Sequence, residues 1–252
     1  VAAGLGDHVD DRAAGPAVPP PPGMIYIAGG ELTVGRDLTE LERACQVIGA
    51  GCDRKQLARE APRATVAVAP FYLDATEVTN DAYADMLNTY RGTLFVLDDE
   101  DYHYPRFVRR NAGAGDAQVL IDLNKPHGGI SYDHQTYTIH DARGRQPAAQ
   151  VSWYGAALYC ASVGKRLPTD SEWEAAARGA DDRPFPWGDA PVRCGDVVIP
   201  GDGEIVMPAG CPAEVAVADV GTSRQDVTPD GVRDLAGNVA EWTSSRYVDG
   251  AR

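Results

Sequence analysis

Short alternating runs of apolar and polar residues open the folded part of the chain. Residues 24–34 alternate on both sides of Gly29 and Gly30, which predicts two short strands that turn at the glycines and pair as a hairpin. A second strand pair is expected in residues 63–79, where apolar residues alternate around Pro70. The pattern therefore predicts short paired strands near the start of the domain.

Two segments in the first half have the three-to-four-residue period of amphipathic helices. Residues 38–52 predict a short helix that ends at its glycines. Thr79 is placed to cap a second helix over residues 80–90. That helix is expected to bury one apolar stripe, made of Tyr83, Met86, Leu87 and Tyr90.

Two more helices are predicted in residues 150–182. The first is expected to end at Gly164. Thr169 and Glu172 have the spacing of a capping box, so the second helix should begin there and end at Gly179. We expect about three to four helices in all. The apolar face of the first of these two helices is predicted at Trp153, Ala156, Ala157, Cys160 and Val163.

The start and the middle of the chain lack these patterns. Residues 1–22 contain few large apolar residues and end in a run of prolines, which predicts an extended linker before a domain over residues 23–252. Residues 91–146 predict short strands and long loops that pass over a binding face. Most of the histidines lie there, and a histidine metal cluster is not the favoured interpretation, because histidines on such loops are usually solvated.

The charge balance excludes some classes of partner. The chain has 252 residues, with 23 Lys and Arg against 37 Asp and Glu, and a formal net charge of −14. Such a surface repels nucleic acids and anionic membranes, so neither is expected as a partner. No apolar run reaches the roughly 20 residues of a membrane helix, and direct membrane insertion is not expected. The chain begins with Val, and we interpret it as a fragment or a processed form.

The cysteines bear on the cellular compartment. Cys45 and Cys52 are close in sequence, and so are Cys194 and Cys211. We expect two local disulfides, with Cys160 as a buried thiol in a helix. The alternative is a cytosolic protein in which every cysteine is reduced. The disulfide interpretation predicts an extracytoplasmic protein, either periplasmic or secreted.

The segment over residues 233–247, RDLAGNVAEWTSSRY, is a candidate for chemistry. Asp234 and Glu241 could supply carboxylate oxygens to a hard cation such as calcium, with the carbonyl groups of Gly237 and Val239 as neutral ligands. One alternative is a hairpin with Asp234 in an Asx turn and Glu241 in solvent. A pair of catalytic acids for glycoside hydrolysis is a third interpretation, but no second cleft-forming pattern supports it. The residue spacing alone leaves these alternatives open.

Five segments of the chain have the order of segments in one known family. They are MIYIAGGELTVG, FYLDATEVTNDAYADML, QVSWYGAALYCASVGKRLPTDSEWEAAARG, FPWGD and DLAGNVAEWTSS. Together they span about residues 22–247 and resemble the formylglycine-generating enzyme, or sulfatase-modifying factor, family. Each segment is only modestly specific, whereas five in register are much more so.

The resemblance implies an α+β fold of C-type-lectin-like kind, irregular and loop-rich, with short strands and bound calcium. The turn of the family that matches DLAGNVAEW binds calcium, so the resemblance assigns calcium ligation to Asp234, Gly237, Val239 and Glu241. A second calcium loop of the family would fall near residues 195–222. The sequence departs from the family pattern there, and that site is not carried over.

The resemblance also implies an activity and a partner. The family's best-known reaction oxidises a cysteine of a sulfatase to formylglycine with oxygen and copper, so a sulfatase or another protein or peptide is the expected partner. The copper-binding cysteine pair of the family lies downstream of the segment that resembles residues 237–242, and no cysteine of this chain matches it. We therefore interpret the chain as truncated at its C-terminus, and expect copper only if that pair exists.

A second function stays open at the level of the sequence. The same fold could serve as a non-catalytic ligand-binding or sensory module, attached to a membrane anchor or a kinase through residues 1–22. The sequence does not determine the oligomeric state.

Overall fold

The structure is a computed structural model that describes residues 19–48, 53–98, 105–111, 117–124, 128–193, 195–198 and 217–246. Four helices of nine or more residues and one single-turn helix are described: α1 Leu38–Ile48, α2 Arg54–Leu57, α3 Asn80–Tyr90, α4 Trp153–Ser162 and α5 Asp170–Arg178. The described strands are β1 Met24–Ile27, β2 Gly30–Val34, β3 Ala64–Val68, β4 Phe71–Asp74, β5 Leu94–Asp98, β6 Pro105–Asn111, β7 Ala117–Asp122, β8 Ile130–Tyr132 and β9 Tyr137–Ile139.

The first four strands form one antiparallel ribbon that is interrupted in the middle. β1 pairs with β4 and β2 pairs with β3 in a single continuous register, with Ile27 opposite Phe71 and Gly30 opposite Val68. The predicted pairings of β1 with β2 and of β3 with β4 are therefore wrong, although all four strands lie where the alternation predicts them. Gly29 marks the interruption, because its φ is +68° and an added Cβ would overlap the carbonyl oxygen of Val68.

Helix α5 packs on this ribbon and closes one core. The Thr169 hydroxyl accepts a hydrogen bond from Glu172 N at 3.1 Å, and the Glu172 carboxylate accepts one from Thr169 N at 2.8 Å, which confirms the capping box. Gly179 ends the helix as predicted, with a φ of +61°. The buried members of this core are Ile27, Leu32, Val68, Phe71, Ala175, Ala176, Ala177, Val232 and Leu235.

Helix α3 packs over a second core that includes residues of the three-stranded sheet β5–β6–β7. Thr79 caps α3, as predicted, by accepting a hydrogen bond from Ala82 N at 3.2 Å. Tyr83 and Leu87 are buried, but the predicted stripe fails at Tyr90, which is 37% exposed because it is the last residue of the helix and lies beyond the core. The buried members of this core are Tyr83, Ala84, Met86, Leu87, Val108, Leu120, Ile121, Leu123, Ile130 and Tyr137.

Helix α4 presents a different face to the core from the one that its periodicity predicts. Gly155 is its buried residue and lies against the backbone of Leu120. Trp153 and Val163, both predicted on the buried face, are 39% and 47% exposed. A helix that is apolar on several sides gives little periodic signal. The position without a side chain marks the face that lies closest to the sheet.

The histidines of the middle region lie outside the strands. His134 is in the turn between β8 and β9 with a φ of +69°, and His140 follows β9. The Asp133 carboxylate stabilises this turn by accepting hydrogen bonds from Gln135 N and Thr136 N. The predicted strand placement of these two histidines is therefore wrong.

Some predictions concern residues outside the described part. Most of the predicted linker belongs to this group, as do Cys52, Cys194 and Cys211, and the side chain of Cys45 within α1 is not described either. The two disulfides therefore stay predictions. Cys160 is a half-buried free thiol. Over the described residues, no helix has both the length and the apolar character needed to cross a bilayer.

Replacing Gly155 with Ala should destabilise the domain by about 1–3 kcal/mol. The added Cβ would overlap the Leu120 carbonyl oxygen and the Tyr83 hydroxyl, so α4 could not approach β7 as closely. Gly92→Ala is the matched control, because a Cβ at Gly92 would meet no atom within 4 Å. Urea denaturation measures both variants, and equal stability of the two would contradict the close packing described for α4.

Candidate functional site

The candidate turn at residues 234–242 is shaped by its contacts with distant segments. Asp226 Oδ2 accepts a hydrogen bond from Ala236 N at 2.7 Å, and Asp226 O accepts one from Asp234 N at 3.1 Å. Asp234 and Asn238 both have φ angles of +62°, in the left-handed region that Asp and Asn tolerate better than most residues. The Asp-x-x-x-Asn spacing thus suits a backbone that reverses twice within five residues.

Gly237 and Asn238 attach the turn to two neighbouring segments. The amide side chain of Asn238 accepts a hydrogen bond from Ala218 N at 3.0 Å and donates one to Ala218 O at 3.3 Å. The backbone N–H of Asn238 donates to Val198 O at 2.7 Å. A Cβ on Gly237 would overlap that same Val198 oxygen, so glycine is required there. The dipeptide is conformationally fixed from both sides.

A third segment brings Glu77 to the turn. The backbone N–H of Arg233 donates to Ala75 O at 2.9 Å, and Ala75 N donates to Gly23 O at 2.9 Å. Glu77 therefore lies next to the start of the turn, between β4 and the Thr79 cap of α3. Sequence reasoning assigned no role to Glu77. The only available signal was an acidic residue two positions before a helix cap, which is too common to be specific.

Four carboxylates share this space, and they raise one another's pKa values. Burial first, and then the charges of Asp234 and Glu241, raise the pKa of Glu77 to about 9. Burial, with the charge of Asp234, raises the pKa of Asp226 to about 6. Desolvation of its carboxylate, with the charges of Asp226 and Asp234, raises the pKa of Glu241 to about 7. Charge of one sign is thus concentrated where solvent screens it poorly.

The hydrogen bonds around the cluster leave several oxygens without a donor. Asp234, which is 2% exposed, accepts a hydrogen bond at Oδ2 from Gly221 N at 2.5 Å. Glu241 is exposed over part of its surface, and its carboxylate accepts a hydrogen bond from Trp173 Nε1. Both carboxylate oxygens of Glu77, and Oδ1 of Asp226, are buried with no hydrogen-bond partner. Buried oxygens of this kind require protons or a bound cation.

The structure brings the predicted acidic residues together. Asp234 and Glu241 interact electrostatically with Glu77, and the Asp234 carboxylate bonds to Gly221 instead of forming the alternative Asx turn. Within the described residues, no three His, Cys, Asp or Glu side chains form a metal-binding group by themselves. A cation held here would therefore also need neutral oxygens, for which Gly237 and Val239 are the predicted sources.

A cavity of about 480 Å³ adjoins the cluster and separates the two cores. Tyr83 of one core and Phe71, Val232 and Leu235 of the other contribute to its walls. The cluster reaches the cavity through Glu77 and Glu241. The volume is in the range of sites that bind small molecules or side chains of a partner.

The match to a known family follows the same segments. Residues 11–252 match the family model described as the sulfatase-modifying factor enzyme 1-like domain. The chain belongs to this family. The resemblance expected from the sequence is thereby confirmed, together with the mixed α/β fold of short strands and four longer helices that characterises this domain.

Relatives with different printed descriptions share this domain. The formylglycine-generating enzyme of Bos taurus is 29% identical, over 91% of this chain and 59% of its own length. The inactive C-alpha-formylglycine-generating enzyme 2 of Mus musculus is 30% identical, over 90% of this chain and 70% of its own length. The serine/threonine-protein kinase Pkn1 of Chlamydia trachomatis is 26% identical, over 89% of this chain and 28% of its own length. The chain thus spans little more than half of the bovine enzyme.

In the metal-free protein, the free energy of unfolding should fall as the pH rises from about 5 to about 9. The pKa values of Glu77, Glu241 and Asp226 are raised on folding, so the native state binds more protons than the unfolded state in this window. One such group contributes a slope of up to about −1.4 kcal/mol per pH unit. Urea unfolding at several pH values, with a chelator present, measures the slope.

A variant pair identifies the source of this pH dependence. Glu77→Gln should flatten the slope, because an amide does not titrate, whereas Glu31→Gln on the exposed side of β2 should leave it unchanged. Stability that stays level or rises over this pH range would contradict the crowding of carboxylates.

Proposed function

We propose that the protein is a sulfatase-modifying-factor-type domain in which a calcium ion stabilises the turn at residues 234–242. The observation that supports this most directly is the set of buried carboxylate oxygens of Glu77 and Asp226 that have no hydrogen-bond partner. Calcium prefers six to eight oxygen ligands of mixed charge. One calcium ion would offset part of the repulsion that raises the pKa values of the cluster.

The residues present fit such an ion. Asp234 and Glu241 would supply charged oxygens and Gly237 and Val239 would supply carbonyl oxygens, with Glu77 as a further carboxylate from a separate segment. Asp226 has a different role in this proposal, because its Oδ2 accepts a hydrogen bond from Ala236 N and orients the turn. Bound calcium would supply positive charge, and the protein would supply the loop geometry.

The oxidase reaction of the family needs residues that the described part of this chain does not supply. Copper(I) binds well to a pair of thiolates. Cys160 is the cysteine whose side chain is described, and burial, with the charge of Asp74, raises its pKa, which favours the neutral thiol over the thiolate. The described residues therefore do not fit a copper site, and no step of the reaction is derived through copper.

The proposed partner is a sulfatase polypeptide, and the proposed compartment is extracytoplasmic. Support for the partner comes from relatives named as formylglycine-generating enzymes. Support for the compartment comes from the cysteine spacing, which suits local disulfides in an oxidising environment. Non-reducing peptide mapping would detect the proposed Cys45–Cys52 and Cys194–Cys211 links.

A non-catalytic binding module is the second candidate function. Two relatives favour it: one is named an inactive enzyme, and another is named a protein kinase of which this chain matches 28%. The cavity beside the acidic cluster supplies a place for a ligand in either case. The two functions differ in whether a cysteine of a bound peptide is chemically changed.

Calcium should raise the melting temperature of the chain by about 5–10 °C at a concentration roughly 100 times its dissociation constant, because ligand bound only to the native state stabilises it. Glu77→Gln should weaken calcium binding by about tenfold or more, since it removes a charged ligand. Isothermal titration calorimetry measures both effects. Glu31→Gln is the control of equal charge change, and a loss of affinity as large as that of Glu77→Gln would contradict the proposed site.

The reaction itself is tested with a protein that contains this chain and any catalytic cysteine pair. Incubation with copper, oxygen and a cysteine-containing sulfatase peptide should convert the cysteine to formylglycine, a mass decrease of about 18 Da that mass spectrometry detects. The matching peptide with Ser in place of the cysteine is the control. Tight peptide binding without any mass change would favour the non-catalytic module.

A further inference from the structure

Three exposed aromatic residues lie together beside the cavity, and we call them the aromatic rim: Trp153, Tyr154 and Trp242. They are 39%, 46% and 50% exposed. The rings of Trp153 and Tyr154 meet edge to face, with centroids 5.6 Å apart. Trp242 belongs to the cavity wall as well. Exposed aromatic clusters of this kind are common at binding surfaces and uncommon elsewhere.

The two indole groups of the rim are held in place by reciprocal hydrogen bonds. Trp153 Nε1 donates to Thr243 O at 2.8 Å, and Trp242 Nε1 donates to Val151 O at 2.8 Å. Each bond joins the start of α4 to the segment after the turn. The polar atoms of both rings are thus already used, while the ring faces stay accessible. Binding to such a surface costs little conformational entropy.

The charges of the cavity are unbalanced in one direction. Lys165 pairs with Asp74 at 2.5 Å, and Arg166 pairs with Glu172 through two hydrogen bonds. Those ion pairs leave Glu77 and Glu241 on the cavity wall, backed by Asp226 and Asp234. Four carboxylates exceed the charge of one divalent ion, so a cation in the cluster leaves the negative sign of the cavity unchanged when they are ionised.

The rim and the cavity therefore suit a ligand that is both apolar and positively charged. We propose that this surface is a docking site for an extended, basic polypeptide segment. The faces of Trp153 and Trp242 would receive a Lys or Arg side chain through cation–π contact. The apolar wall formed by Phe71 and Leu235 would receive an uncharged side chain of the same segment. A net charge of −14 on the chain favours the approach of such a partner.

This site does not depend on the proposed oxidase reaction. A protein that forms no formylglycine could still bind a basic segment, and a failure of peptide binding leaves the calcium and oxidase tests intact. A neutral oligosaccharide could also stack on exposed aromatic rings, and the experiment must separate the two classes of ligand.

The test uses fluorescence anisotropy with the 252-residue chain and three labelled peptides of equal length. The peptides share apolar positions and differ only where they carry Arg, Gln or Glu. The Arg peptide should bind about tenfold or more tightly than the Gln peptide and should lose affinity as salt is added. Measurements with calcium and with a chelator should keep this order. Equal affinities for the three peptides, or no measurable binding, would overturn the proposal, as would competition by maltohexaose.

Variants locate the binding on the rim. Tyr154→Ala and Trp242→Ala should each weaken the Arg peptide by about fivefold or more, because each removes part of the aromatic surface. Tyr90→Ala is the matched control, since Tyr90 is also exposed, at 37%, and lies at the end of α3. Tyr154→Ala keeps the interpretation secure if Trp242→Ala, which loses a hydrogen bond, fails to fold. A Tyr90→Ala effect as large as that of Tyr154→Ala would overturn the assignment to the rim.

Discussion

Repulsion among four poorly solvated carboxylates is the constraint around which the functional half of this domain is organised. Glu77, Asp226, Asp234 and Glu241 come from three separate stretches of chain, and each of the three whose pKa is shifted has it shifted upward. Ionised carboxylates in this environment favour separation unless positive charge or protons lie between them. The surrounding contacts must therefore hold the acidic residues together against their own electrostatics.

Those contacts are distributed over the whole chain. The Arg233 N–H bonds to Ala75 beside the ribbon, Asn238 bonds to Ala218 and Val198, and Trp242 bonds to the residue that precedes the cap of α4. Few of these bonds belong to a helix or a strand. A site built in this way gains rigidity from many single hydrogen bonds, each contributing about 1 kcal/mol. Neutralising the cluster would release strain from all of these attachments at once, which is why we assign the proposed calcium ion a structural role.

Local signals in the sequence predicted local structure well and long-range pairing poorly. The caps at Thr79 and Thr169 depend on residues three positions apart, and the structure confirms both. The pairing of β1 with β4 depends on the interruption at Gly29, where two segments about forty residues apart meet, and alternation alone cannot show it. The same limit applies to the site: Asp234 and Glu241 share a motif, whereas Glu77 reaches them only through the fold.

Terbium luminescence tests the central claim most directly. Terbium(III) substitutes for calcium at oxygen-rich sites, and the Trp173 indole, whose Nε1 donates a hydrogen bond to the Glu241 carboxylate, would serve as the sensitiser. Excitation of tryptophan should give terbium emission that saturates with added ion, declines when calcium is added in competition and is strongly reduced in Glu77→Gln. Emission that never exceeds that of free terbium, or that is the same in Glu77→Gln, would contradict a cation site formed by these carboxylates.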